Sequence, residues 1–169
     1  MASEFFRRQL ANYASVHRDA RNKATHFIGI PAIIYSLLLV VSPWPIEFGG
    51  RTVSAAAILA VLAVLGWLLL DLGIGVAMAV IMVPTWYAAE ALAAALGSSA
   101  TWFAFAVLFV GGWALQLLGH HYEGKRPALI DNIFQAFVGP MFLVAEIMVE
   151  AGWRHDLATA VSEGDVSTL

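Results

Sequence analysis

Read for hydrophobicity alone, the chain is a series of long apolar runs separated by short polar breaks, and each run predicts a helix. The first covers residues 27–41 and carries Pro31 near its start, with Asn22 or Thr25 as its expected cap. A loop follows through Ser42, Pro43, Trp44 and Pro45 to Gly49 and Gly50. The second run, 53–70, and the third, 74–96 with Pro84 inside it, are so close that they must form an antiparallel helical hairpin turning at Asp71. The fourth occupies 100–118. The fifth, 128–149, is striped: Asp131, Gln135, Gly139, Glu146 and Glu150 fall near one face, opposite Ile133, Phe134, Phe137, Met141 and Met148. That helix is expected to cross with its polar stripe inward, or to be re-entrant around Gly139 and Pro140. Ahead of all five, Phe5, Phe6, Leu10, Tyr13 and Val16 sit near helical spacing in a polar segment, which predicts an amphipathic helix on the membrane surface or capping the bundle. That segment has no short apolar core with a small-residue cleavage site, so it does not read as a signal peptide.

Composition makes the solvent explicit. The chain is 60% hydrophobic and only 12% charged, against about 45–50% and about 25% in soluble domains. The expected fold class is all-α: an integral membrane helical bundle of four to five transmembrane helices plus the N-terminal amphipathic helix. Residues 1–152 form one membrane-embedded domain and 153–169 a loose polar tail. A net charge of −3 excludes a general nucleic-acid binder, which needs a basic surface. With no cysteine, thiolate metal sites and iron–sulfur clusters are excluded, so any metal must sit on His, Asp or Glu.

The few charges orient the bundle. Arg7, Arg8, Arg18, Arg21 and Lys23 precede the first span, and Lys125 and Arg126 follow the fourth; Arg51 and Arg154 fall opposite. Short cytoplasmic flanks collect Lys and Arg, so the N-terminus is expected in the cytoplasm, with Trp44 and Trp102 at the other interface. Four crossings then return the chain to the first side at the stretch GHHYEGKRPAL, residues 119–129. His17 and His26 enter on that side and His120 and His121 leave on it, so four of the five histidines share one interface; His155 is expected across the membrane if the fifth helix crosses.

Imidazole is the natural ligand for iron, zinc, copper and nickel when thiolates are absent. His17 and His26, nine residues apart, converge only if the chain bends between them, and the stretch from Asp19 to Asn22 can bend. His120 and His121 point about 100° apart on one helix, so both reach a single metal only if the helix frays, which Gly119 and Gly124 would make cheap. The competing reading is that these are half-wet imidazoles at headgroup depth. Gln116, one turn before His120, is placed to hold an imidazole. Glu123 either completes a carboxylate-containing ligand set or simply pairs Lys125. Asp71 reads as a helix cap, and Glu90 as an acid that snorkels to the outer interface.

Two segments resemble a known family. YASVHRDARNKATHFIGIP, residues 13–31, and GHHYEGKRPALIDNIFQAFVGPMFLVAE, residues 119–146, are similar to the small multi-pass 2-hydroxy fatty acid dioxygenases, whose fungal members carry out α-oxidation in the endoplasmic reticulum during phytosphingosine breakdown. The resemblance implies a histidine-bound Fe(II), O₂ as oxidant, and shortening of a 2-hydroxy fatty acid by one carbon. It assigns His17, His26 and His120 to the metal, with His121 as the other candidate of its pair, and matches Asn22, Glu123 and Pro127 at surrounding positions. The number of histidines suits one metal rather than two. A 2-hydroxy carboxylate can chelate one metal through hydroxyl and carboxylate oxygens, with the acyl chain in the bundle and the head at the interface. Asn22, Gln116 and Glu123 are then candidates to orient ligands or move protons, and Arg21, Lys125 and Arg126 to offset the substrate carboxylate.

Expected partners are therefore the 2-hydroxy fatty acid, O₂ and the lipid bilayer, with no nucleic acid; an oligomer is compatible with the sequence. A bacterial inner membrane or the endoplasmic reticulum would suit the chain. Two alternatives stand beside this reading. One is a zinc-dependent lipid or peptide hydrolase with Glu123 as general base, although the chain has no His-Glu-x-x-His signature. The other is a non-enzymatic bundle, a transporter or assembly factor whose histidines are merely interfacial.

Overall fold

The computed structural model describes residues 2–127 and 133–162. Helix α1 (Glu4–Ala14) leads into α2 (Ala20–Val41), a hairpin of β1 (Pro45–Phe48) and β2 (Arg51–Ser54), then α3 (Ala55–Leu70), α4 (Leu72–Leu96) and α5 (Ser98–Glu123). After the turn at 124–127 come α6 (Phe134–Glu150), a single 3-10 turn (His155–Leu157) and α7 (Ala158–Ser162). Asp131 and the first residues of the fifth apolar run lie outside the described residues.

Helices α2, α4 and α5, of 22, 25 and 26 residues, are long and apolar enough to cross a membrane, while α3 is equally apolar but only 16 residues long. Their outer faces expose Leu62, Leu69, Val80, Phe103 and Val110, side chains that lipid solvates as well as a protein core would. The bundle is thus an all-α membrane fold with one small hairpin.

Several boundaries differ from the apolar pattern for local reasons. Helix α2 starts seven residues before its apolar run, because Asp19 accepts from the Arg21 N–H at 2.8 Å and caps it. Asn22 and Thr25 lie inside the helix. Pro31 does not break α2, and the loop after it is a hairpin in which Pro45 pairs with Ser54 and Phe48 with Arg51. Ser54 then caps α3 by accepting from Ala57 N–H at 3.0 Å. Asp71 caps α4 through Ile74 N–H at 2.9 Å, as its position in the sequence suggests. Its single extended residue joins α3 to α4.

The fifth helix does not cross the bundle. Both ends of α6 are fixed at the end where α1 lies: Gln135 bonds Gln9 of α1, Trp67 near the end of α3 donates to Phe137 O at 3.1 Å, and Glu146 pairs with Lys23 in the first turn of α2. Beyond it, Arg154 makes a two-pronged pair with Asp71, 2.7 and 2.9 Å, at the α3–α4 turn. Since α3 begins at the far end with the hairpin, Asp71 is at the α1 end, and so are Arg154 and His155. The expectation that Arg154 and His155 lie opposite is therefore corrected. An apolar helix with a polar stripe looks the same in sequence whether it crosses or folds back, and here a charged partner at position 71 fixes its end.

The tail beyond residue 152 is likewise not loose as far as Ser162. Leu157, Ala160 and Val161 are buried with Phe6 and Leu10 of α1, each large side chain contributing about 1.5–3 kcal/mol where the alternative is water. Arg154 also binds Asp156 at 2.8 and 3.0 Å, and Arg7 lies 3.6 Å from it. These partners, Arg154 first, hold the Asp156 carboxyl down at about 2.

Two outcomes follow. Because the native chain lacks cysteine, Glu4→Cys and His155→Cys can be labelled singly, and an impermeant thiol reagent should reach both from the same side of sealed vesicles. A folded-state pKa below that of a free carboxyl means that the Asp156 contribution is complete above about pH 4 and lost as pH falls through about 2. Amide exchange of residues 157–162, corrected for its intrinsic rate, should therefore stay slow at pH 5 and accelerate between about pH 4 and 2; in Arg154→Ala it should already be fast at pH 5.

Candidate metal centre

Three chain segments deliver one histidine each to the α1 end of the bundle. Helix α1 ends at Ala14, and two tight backbone bonds, Val16 N–H to Tyr13 O and His17 N–H to Ala14 O, turn the chain so that His17 points back into the bundle. This is the bend that the spacing of His17 and His26 requires. The His17 ring stacks on Tyr13, with centroids 3.8 Å apart and planes within 3°. His26 projects from the second turn of α2 and His120 from the last turn of α5, and all three are buried, at 2%, 1% and 6% exposure. Their candidate ligand nitrogens lie within 4.8 Å of one another, and among the described residues no other His, Asp or Glu joins them.

Hydrogen bonding decides which nitrogens face inward. His17 Nδ1 lies 2.6 Å from Tyr13 O and His26 Nδ1 2.9 Å from Asn22 O, each a carbonyl four residues earlier. A carbonyl only accepts, so both Nδ1 atoms carry the proton and both Nε2 atoms present lone pairs. Those two Nε2 atoms are 3.1 Å apart. Two lone pairs at that distance repel unless a cation sits between them, and imidazole nitrogens about 2.0–2.1 Å from a metal would themselves be separated by roughly 3 Å. Burial, and then the neighbouring His26, drives His17 far below the ordinary imidazole value, to about 2. A proton is thus a poor occupant and a metal ion a good one. The residues fit a metal bound by three neutral imidazoles.

A second layer fixes the helices that carry these rings. Glu123 accepts from the backbone N–H of Arg18 at 3.0 and 3.1 Å, from that of Asp19 at 2.8 Å, and from Asn22 Nδ2 at 3.1 Å. Its carboxylate sits at the N-terminus of α2, where backbone donors and the helix dipole favour an anion. It clamps the end of α5 to the segment between His17 and His26, rather than joining the three nitrogens or hydrogen-bonding Lys125. Asn22 is fully buried and also donates to Val16 O at 3.1 Å. Gly119 makes the approach possible: a Cβ there would overlap Thr25 Oγ1 and Asn22 Oδ1 and come within 3.0 Å of His26 Nδ1.

The remaining candidates are placed differently. His121 is exposed, because α5 stays helical through Glu123 and turns it away from His120. Gln116 is buried but makes no hydrogen bond to His120; its Nε2 has no partner among the described residues, a state that costs about 1–3 kcal/mol for a buried polar group. Of the cations, Arg21 is paired with Asp19 at 2.8 Å and lies over the Tyr122 ring, Lys125 donates to Ser15 O at 2.6 Å, and Arg126 is exposed. None of the three lines the cavity below the histidines. Tyr13, whose carbonyl and ring hold His17, reads in sequence only as an apolar position of the amphipathic helix; its spacing of four from His17, the same as that of Asn22 from His26, is the signal that could have found its role.

That cavity, of about 430 Å³, is bounded by the three histidines and Gln116 and is otherwise almost wholly apolar, with Ile33, Leu37, Phe109 and Trp113 along it. Leu37 is eleven residues beyond His26 on one helix, or about 16 Å at 1.5 Å per residue. A polar end and a long apolar trough suit an amphipathic chain.

A family model described as 2-hydroxy-palmitic acid dioxygenase Mpo1-like matches residues 3–151. The chain belongs to the Mpo1-like family. A relative, the 2-hydroxy-palmitic acid dioxygenase MPO1 of Saccharomyces cerevisiae, is 31% identical over 156 residues, covering 89% of this chain and 84% of the yeast protein. No solved structure matches. The Mpo1-like match takes in all three converging histidines, Asn22, Glu123 and the whole of α6, and leaves out the docked tail.

If Nε2 convergence defines the centre, His120→Ala should lose bound metal on elemental analysis of gently purified protein, whereas His121→Ala should retain it. Gly119→Leu, which wedges α5 away from Asn22 and His26, should weaken metal binding about 10- to 100-fold, the range found for partners that orient ligands.

Proposed function

We propose that this protein is an Fe(II)-dependent dioxygenase that shortens 2-hydroxy fatty acids by one carbon using O₂. The observation that carries the reading is the facing pair of Nε2 lone pairs on His17 and His26, with His120 beside them, at the end of an apolar trough. Family membership supports the substrate class, through the name of the yeast relative. A bound Fe(II) would supply a Lewis acid for the 2-hydroxy carboxylate and the one-electron chemistry that O₂ requires. Three neutral histidines would hold it and leave positions open for both reactants.

The chain's own groups have defined tasks. The Tyr13 and Asn22 carbonyls keep His17 and His26 in the tautomer that ligates. Glu123 and Asn22 lock α5 to α2, so that the three rings are in place before substrate arrives. The trough takes the acyl chain and excludes water from the reacting carbon. Convergence of the rings does not favour a merely interfacial role, and Glu123, held by three donor groups at the α2 N-terminus, is poorly placed to act as a hydrolase's base.

Purified protein should contain about one iron per chain and convert a 2-hydroxy fatty acid to the acid one carbon shorter only when O₂ is present. Chelation should abolish the conversion and iron(II) restore it. Full activity in a metal-free preparation, or turnover without O₂, would sink the proposal.

A further inference from the structure

Two glutamines line the apolar cavity with an unpaired buried amide atom among the described residues: Gln135 leaves an acceptor, Oε1, and Gln116 leaves a donor, and only a donor can receive a carboxylate oxygen. Gln116 is 7% exposed, lines the trough one turn from His120, and its Nε2 is a donor with no acceptor among the described residues. The fold makes room for it: a Cβ on Gly29, one turn beyond His26, would overlap Gln116 Nε2. Gly29 and Gln116 thus form a step just beneath the three histidines, on the acyl-chain side. A buried donor without a protein partner at such a step calls for an acceptor on the ligand.

We infer that Gln116 Nε2 is the group that binds the substrate carboxylate, in place of the cations at the bundle's end. Arg21 and Lys125 are engaged by Asp19 and Ser15 and lie outside the trough, and Arg126 is exposed. A 2-hydroxy acid that presents its hydroxyl oxygen and one carboxylate oxygen to the metal has one carboxylate oxygen left over, and that oxygen accepts from the Gln116 amide. Recognition by a neutral amide has a consequence for selectivity. With no Lys or Arg among the described residues lining the trough, an ordinary fatty acid gains no side-chain ion pair there, and the hydroxyl of a 2-hydroxy acid adds a second metal contact that the ordinary acid lacks.

This inference rests on the dioxygenase reading, and the test separates the two. Binding is measured without O₂ on iron-loaded protein, by competition with a fluorescent fatty acid, for 2-hydroxypalmitic acid and for hexadecane-1,2-diol, which keeps the chelating hydroxyl and the chain but has no carboxylate. Wild-type protein should prefer the acid. Gln116→Met should keep its iron, bind the acid about tenfold more weakly and bind the diol unchanged. If the variant loses acid and diol equally, or neither, Gln116 does not read the carboxylate and the inference fails alone. If wild-type protein binds neither compound, the dioxygenase reading fails with it. Should Gln116→Met not fold, zinc-loaded wild-type protein labelled with ¹⁵N-glutamine gives the same answer. One of its three glutamine side-chain amides, assigned to Gln116, should shift with the acid and not with the diol; a shift with both or with neither overturns the inference.

Discussion

The structure turns on a repulsion. Two carbonyls, Tyr13 O and Asn22 O, take the Nδ1 protons of His17 and His26 and so aim two lone pairs at each other across 3.1 Å. Burial makes protonation of His17 costly. A cation that accepts nitrogen ligands would make the arrangement favourable, and His120 is at hand to add a third nitrogen. Holding that geometry is the task of the surrounding helices. Glu123 ties the end of α5 to the start of α2, and Gly119 lets the two backbones close together.

The membrane explains the rest of the economy. In lipid, exposed leucine and valine cost nothing, so the outer faces of α3, α4 and α5 need no cover. The polar investment is concentrated at one end, where α1, α6 and α7 fold over the histidines and are pinned by Lys23 with Glu146 and Arg154 with Asp71. These pairs are partly shielded, and each breaks at a cost because one charge would be left buried alone. Helix α6 serves as a wall of the trough through Gln135, Gly139 and Pro140 rather than as another crossing.

How much of this was legible in sequence depends on the range of the interaction that decides each feature. Apolar runs report local solvent, so the bundle, the α3–α4 hairpin, the cap at Asp71 and the amphipathic α1 were readable. The start of α2 was not, since Asn22 resembles a cap until its partner Glu123 across the bundle is known, and Thr25 resembles one although its hydroxyl donates back to Asn22 O. The path of α6 depends on Arg154 meeting a residue 83 positions earlier, which periodicity cannot show. The choice between His120 and His121 was left open because their faces differ by only about 100°. A finer reading was available: Gly112, Gln116, Gly119 and Glu123 follow i, i+4, i+7 and i+11 along the face turned to α2, and His120 adjoins that stripe while His121 does not. The role of Glu123 was misleading for a chemical reason, because a carboxylate beside histidines suggests a ligand, whereas backbone amides at a helix start are an equally good destination for its charge.

The central claim is that the Nε2 atoms of His17 and His26, with His120, bind one metal ion. X-ray absorption at the iron edge of the iron-loaded protein tests it most directly. The expected spectrum requires three imidazoles on one iron in the wild-type protein and in His121→Ala, and no imidazole-bound iron in His120→Ala. A first shell of oxygen atoms alone, or a spectrum unchanged by loss of His17 or His26, would contradict the account.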